Sequence, residues 1–273
     1  FSIYDLGFIM PGESVNDTYF ALSQVITELI KNNIVPYIVG GGHDLTMACY
    51  RGFESLEQMI NICTIDYKLD LGEPNDEISS SGFISHLLMQ RPCYLFNYSS
   101  VGVQRPFISK KEQELFNKLF FDICRLGQIN SDYKVVEPFL RNSDLLTIDF
   151  NSIQNLQSDP SLYNNSNGLD SQQICQISKY AGLSDKMSCV GVFDINPNQS
   201  ENANKLLAQM IWYFVEGVQY RFEEYPININ EGFLKYIVTL SNQNLVFYKS
   251  EISDRWWMEI TNDSHLDIVL HRL

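Results

Sequence analysis

Apolar residues recur with two different spacings along this chain, and the alternation between them predicts a layered α/β fold. Over 16–33, Phe20, Leu22, Val25, Ile26, Leu29 and Ile30 fall largely on one helical face. Asn16 or Asp17 is placed to cap that helix. Further amphipathic stretches at 80–90, 110–126, 170–181 and 203–218 also read as helices. Pro92 stops the first of these, and Gly127 and Gly182 stand just beyond the next two. Between them lie short apolar runs of strand length at 34–39, 59–65, 93–97, 145–150 and 188–193. Strands alternating with helices imply a three-layer αβα architecture with a mostly parallel central sheet. From about residue 225 the pattern changes to apolar and aromatic runs at 233–240, 244–250 and Arg255-Trp256-Trp257-Met258. The expected division is an α/β domain over 1–224 and a C-terminal extension over 225–273. The extension packs on the same domain, with a subunit contact as the alternative.

Several of the strand-like runs end in polar residues. They are GGGHDLT at 40–46, IDYKLDLG at 65–72, LLTIDFNS at 145–152 and GVFDINP at 191–197. In an open α/β sheet, ligands sit beyond the carboxyl ends of the strands. His43, Asp66, Asp70 and Asp149 bring one imidazole and three carboxylates to such positions. Hard oxygen donors with a single histidine suit Mn²⁺ or a similar ion better than a soft-ligand zinc site. Any one aspartate at a strand end is more often a cap or a turn former. The set, in this order, carries the signal.

Composition narrows the partners. A net charge of −14 argues against nucleic acid and against acidic membrane surfaces. No apolar run reaches the roughly 18 residues of a membrane-spanning helix, and no signal peptide opens the chain. The six cysteines are scattered without a CxxC pair, which reads as buried free thiols in a reducing, cytoplasmic setting.

The four segments resemble the motifs of the ureohydrolase family of arginase, agmatinase and formimidoylglutamase: GGDHS, DAHxD and SxDxDxxDP. His43 matches the first motif's histidine, with Gly42 in place of its aspartate and Asp44 in place of its serine. Asp66 and Asp70 match the aspartates of the second, and Lys68 stands where its histidine belongs. Asp149 matches the first aspartate of the third, and Asn151 replaces the second. Gly168-Leu169 is similar to the family's GLT turn, and Gln173 falls near a substrate-side glutamate. Asp194-Ile195-Asn196-Pro197 is similar to its E-V-x-P strand end, so Asp194 and Asn196 are expected on the substrate side as well. The resemblance spans about 5–217. The tail is similar to that of bacterial formimidoylglutamase-like members with degenerate sites. A leading strand and helix of the family are expected to be absent from this chain.

What the resemblance implies is a metal-assisted hydrolase of linear amidine or guanidino C–N bonds with half of its two-metal site. One metal's ligands are present as His43, Asp66, Asp70 and Asp149. The other has lost both private ligands, to Lys68 and Asn151. Three carboxylates, one divalent ion and the lysine cation sum to zero charge. The Lys68 ammonium is therefore expected in the region of the lost metal, bonded to free oxygens of Asp66 and Asp149. A metal-free polar cluster is the alternative. Asp149 and Lys68 are the catalytic candidates, and one Mn²⁺ is the expected cofactor. His86 is either a proton shuttle or an ordinary helix residue, and the latter is favoured; His265 and His271 read as packing or surface residues. The expected partner is a small amidine or guanidino substrate, with a homo-oligomer or a protein partner beside it. Two other functions compete: a catalytically silent binding or assembly module, and a small-molecule sensor.

Overall fold

A computed structural model of the chain describes residues 2–73, 76–154, 166–195, 200–221, 232–240, 243–262 and 265–272. It divides into two compact units, 1–219 and 220–273.

In the first unit the five expected short apolar runs fall on strands and a sixth, β4, joins them: β1 (Tyr37–Val39), β2 (Ile60–Ile65), β3 (Leu95–Val103), β4 (Asp122–Arg125), β5 (Leu145–Asp149) and β6 (Cys189–Phe193). They form one sheet in the order β1-β6-β5-β2-β3-β4, with every neighbouring pair parallel. Eight helices intervene: α1 (Val15–Lys31), α2 (Thr46–Glu54), α3 (Phe83–Met89), α4 (Lys110–Lys118), α5 (Leu126–Ser131), α6 (Glu137–Arg141), α7 (Ser171–Leu183) and α8 (Glu201–Gln219). Alternate strand residues feed two separate cores. Ile60, Ile62, Leu145, Cys189 and Phe193 pack with Tyr19, Ile26, Phe53, Phe83 and Phe116, from α1–α4. Cys63, Ile65, Leu146, Ile148, Val190 and Val192 pack with Leu126, Leu140, Ile174, Met210 and Phe214, from α5–α8. This is the three-layer αβα arrangement, and it follows from side chains alternating across a strand.

The structure corrects several element boundaries. Ser14, rather than Asn16 or Asp17, caps α1, and Asp17 completes a reciprocal capping box with it. The single helix expected over 110–126 breaks after Lys118. Phe120 adopts φ +57°, and the chain re-enters the sheet as β4 before α5 begins. The apolar run FFDICRL fits a helical phase, but its residues 122–125 pair with β3 instead. Helices α7 and α8 cross closely because Gly182 and Gly217 face each other. A Cβ on Gly182 would lie 2.1 Å from the Phe214 carbonyl oxygen, and one on Gly217 2.4 Å from that of Lys179.

The second unit is an antiparallel sheet of β7 (Phe233–Leu240), β8 (Gln243–Ser250), β9 (Trp256–Asn262) and β10 (His265–Arg272), in the order β10-β9-β8-β7. The Ser250 hydroxyl accepts the Ile252 and Ser253 amides at the turn into β9. Tyr236 stacks on Trp256, and Phe233 meets the buried Trp257 edge to face.

Candidate metal centre

Because the strands are parallel, the polar residues that follow β1, β2, β5 and β6 collect at one edge of the sheet, and these strands are neighbours there. After β1, Gly40 and Gly41 take φ +96° and +80°, a region that suits glycine. They turn the chain so that His43 enters a short 3₁₀ turn, His43–Leu45, ahead of α2. Phe83 lies edge to face on the His43 ring with centroids 4.9 Å apart, and Phe193 lies at 6.0 Å.

His43 Nδ1 stands 3.1 Å from Asp70 Oδ2 and 3.5 Å from Asp66 Oδ2. One ligand atom from each of these three residues lies within 4.8 Å of the others, and none of the three is more than 1% exposed. Asp66 Oδ2 and Asp70 Oδ1 are buried without a hydrogen-bond partner. Asp70 Oδ1 is instead held in an ion pair with Lys68 Nζ at 2.9 Å. Lys68 Nζ also donates to Ser81 Oγ at 2.8 Å. A buried Asp66 oxygen left without a hydrogen-bond partner beside an imidazole costs free energy that a hard divalent cation would relieve, so the donor set fits such an ion.

The charges act on one another. Burial works against a charge on His43, yet the Asp66 and Asp70 carboxylates outweigh it and hold the imidazolium well above its ordinary range. Burial, then the Asp70 charge, raises Asp66 well above the usual carboxylate range. Burial opposes ionisation of Asp70 too, but the His43 hydrogen bond and neighbouring groups bring its carboxyl below the ordinary value. Lys68 is likewise disfavoured by burial and is held above its ordinary range by Asp70 and then Asp66. Burial pushes Asp149 up to about 6, with Asp194 adding to the rise and His43 opposing it.

Of the residues picked out from the sequence, His43, Asp66 and Asp70 converge and Lys68 reaches their edge. The ammonium sits on Asp70 and Ser81, not on Asp66 and Asp149 as expected, because its hydrogen-bond partner Ser81 lies on the loop leading into α3. Asp149 is buried within electrostatic reach of His43 and Asp70 but outside the three-residue convergence; its Oδ1 accepts the Asn151 amide at 2.8 Å. Asp194, at φ +54°, turns Oδ1 toward the His43 amide at 3.0 Å. Gln173 is spent on the α7 capping box with Asp170, and its amide reaches Asn130. It lines a cavity of about 200 Å³ beside Asn130, Asp132 and Tyr133, whose lining includes none of the cluster residues. Asn196 lies outside the described residues. His86 sits on α3 with Nε2 buried and unbonded.

Sequence reasoning missed the groups behind the cluster. His43 Nε2 lies 3.3 Å from Thr147 Oγ1, which continues to Thr64 Oγ1 at 3.0 Å and on to Tyr98 OH at 2.7 Å. Thr147 occupies the serine position of the third motif, a signal that was there to be used. Ser80 and Asp44 flank His43 on its backbone side. Ser80 fell in a serine run that gave no sign of a partner.

Comparison with known proteins places the chain in a family. The arginase family profile matches residues 1–215. The formimidoylglutamase of Streptococcus gordonii is 28% identical over 191 residues, covering 59% of this chain and 56% of that protein. That of Geobacillus sp. (strain WCH70) is 24% identical over 155 residues, covering 54% and 47%. The chain thus spans about half the length of the curated relatives it matches. Among solved structures, a Trypanosoma cruzi formiminoglutamase determined with Mn²⁺ superposes with a TM-score of 0.68 at 15% identity, covering 77% of this chain and 74% of that one. The Bacillus subtilis formimidoylglutamase gives 0.66 at 13% identity, covering 78% and 70%. No helix among the described residues is long and apolar enough to cross a membrane. With the family profile covering most of its length and the fold shared with formimidoylglutamases, the chain belongs to the arginase family.

Proposed function

We propose that the chain holds one divalent cation, Mn²⁺ by its donor chemistry, and hydrolyses a C–N bond of a small linear amidine or guanidino compound, as its formimidoylglutamase relatives are named for doing. The observation that carries this reading is the convergence of His43 Nδ1 and the Asp66 and Asp70 carboxylates in a buried setting, with Asp66 Oδ2 lacking a hydrogen-bond partner. His43, Asp66 and Asp70 would hold the ion, with Asp149 as the further carboxylate of the set. A divalent cation in such a site supplies a water of lowered pKa and charge stabilisation. The protein's own groups do the rest. Lys68 keeps a fixed positive charge on Asp70, a carboxylate of the proposed ligand set. Asp149, whose carboxyl is raised by burial, would be held ionised by the cation it helps to bind. Asp194 presents a carboxylate that suits a cationic amidine. Phe83 and Phe193 shield the His43 ring from water. Overall, water adds to the amidine carbon, the C–N bond breaks, and the amine leaves with a proton, giving amine plus amide or urea.

A second reading, a catalytically silent binding module, is favoured by one observation. The Lys68 ammonium already neutralises Asp70 Oδ1, and it would repel a cationic substrate. Elemental analysis after purification with Mn²⁺, together with assays of formamide and urea release, separates the readings. One ion with turnover supports the hydrolase. One ion without turnover supports the silent module, and no ion sinks the metal centre. Cytoplasmic residence and a homo-oligomer or protein partner belong to the same proposal.

A further inference from the structure

The backbone side of His43 carries a second polar assembly, centred on Ser80, which the proposed chemistry leaves without a role. The His43 amide donates to Ser80 Oγ and to Asp194 Oδ1, each at 3.0 Å. Ser80 Oγ has one proton to give and stands 3.1 Å from Asp44 Oδ1 and 3.2 Å from Asp194 Oδ1. The other oxygen of Asp44 accepts the Tyr19 hydroxyl of α1, and the Arg51 guanidinium lies 5.6 Å from the centre of the Tyr19 ring. One serine hydroxyl therefore ties together α1, the turn bearing His43, the loop before α3 and the end of β6. The absence of a side chain at Gly42 is what lets this assembly close. A Cβ there would lie 2.2 Å from Asp44 Oδ1 and 2.7 Å from Ser80 Oγ. Gly42 itself has φ −76°, so its backbone conformation does not require glycine; the space does.

We infer that Ser80, braced by Asp44 and Tyr19 and admitted by Gly42, is a positioning residue that fixes the His43 backbone and the Asp194 carboxylate for the metal centre; this rests on the proposed metal reading. The physical reason is that a ligand's aim is set by what holds it from behind. His43 Nδ1 points at Asp66 and Asp70 only while its main chain is pinned, and Asp194 keeps its left-handed backbone only while Oδ1 has donors to accept from. Glycine at 42 and aspartate at 44 work as a pair in this chain, since the space left by the first is filled by the carboxylate of the second.

Three variants test this on the full chain. Ser80→Ala removes the hydroxyl, Ser80→Thr keeps it, and Gly42→Ala pushes the lock open without deleting any hydrogen-bonding group. Only flexible side-chain ends stand in the way of the added methyl, so the fold is expected to survive. The readouts are hydrogen exchange at the His43 amide and Mn²⁺ affinity by titration calorimetry. Ser80→Ala and Gly42→Ala are expected to speed exchange at His43 about fivefold and to weaken Mn²⁺ binding about tenfold, while Ser80→Thr stays within about twofold of wild type. Unchanged exchange in Ser80→Ala overturns the inference. So does faster exchange with undiminished Mn²⁺ affinity, or a loss in Ser80→Thr equal to that in Ser80→Ala. A wild-type chain that takes up no Mn²⁺ sinks the metal reading and with it the metal-positioning role, while the exchange data still decide whether the lock exists.

Discussion

His43 meets two carboxylates on one side of its ring and a threonine hydroxyl on the other, and its proton affinity controls what the site can accept. To ligate, Nδ1 must give up a proton that Asp66 and Asp70 hold on the ring well above the ordinary histidine range. Metal uptake therefore releases a proton, and Mn²⁺ affinity is expected to rise with pH by roughly tenfold per unit for each proton released. Calorimetry in buffers of different ionisation enthalpy measures that proton count directly. The metal-free chain behaves in the opposite sense. The folded-state proton affinities of His43 and Asp66 are both raised, so the stability they contribute is complete below their unfolded values and is lost as pH climbs through the folded ones. The Asp70 contribution runs the other way and is lost as pH falls through its lowered value. Thermal melts across pH should show the apo chain losing stability on the alkaline side and recovering it with Mn²⁺. A stability rising with pH on the alkaline side in the apo chain would contradict this. Lys68 is the other decisive residue at this scale. Changing Lys68→His together with Asn151→Asp is expected to raise Mn²⁺ stoichiometry from one to two, read by elemental analysis; an unchanged ratio would refute the half-site reading. The chemistry-bearing residues His43, Asp66 and Asp70 were legible because strand-end motifs fix where their side chains emerge. Ser80 and the true partner of Lys68 were not legible, because a loop's hydrogen bonds depend on how it folds back rather than on spacing.

Helix α7 packs on α8 through Gly182 and Gly217, and contact between their main chains leaves no room for even a methyl group. Gly217→Ala is expected to cost about 1–3 kcal/mol of stability, measurable by denaturant unfolding, because the clash is with backbone that cannot swing aside. The turn from α4 to β4 offers a change of the opposite sign. Phe120 holds a left-handed backbone with its ring 89% exposed. Phe120→Gly is expected to raise stability by about 1 kcal/mol, and a loss of stability would show that the ring has a partner. The long amphipathic helices and the buried strands could be read from periodicity alone. Strand β4 could not, since four residues at a sheet edge next to a helix share the helix's apolar phase. Short α5 and α6 carry too few turns to display a period.

At the level of the whole chain, five of the six cysteines are buried and only Cys93 is partly open. A native thiol titration with a bulky disulfide reagent is expected to find about one fast-reacting group, at Cys93, and the remainder only after unfolding. Several fast thiols would mean a looser core than the two packed layers imply. The layered architecture was visible in advance because alternate strand residues must satisfy two cores at once, which a sequence records faithfully. Strands β7, β8 and β9 were visible only as aromatic and apolar runs and β10 not at all, since their pairing is set by register between segments.

The hydrogen bond from the His43 amide to Asp194 joins residues 151 positions apart, and the contact from His43 to Thr147 spans 104. Such a centre has no local precursor. Every closure that brings these groups together must first overcome the entropy of a long loop, and parallel pairing adds more of the same. The proposed ion site is then expected to be one of the last things the chain acquires as it folds. Mn²⁺ present from the start should leave the refolding rate unchanged and slow unfolding instead, because it stabilises contacts that the folding transition state has yet to make. Stopped-flow refolding and unfolding with and without Mn²⁺ would show whether the metal waits for the finished chain or helps to build it.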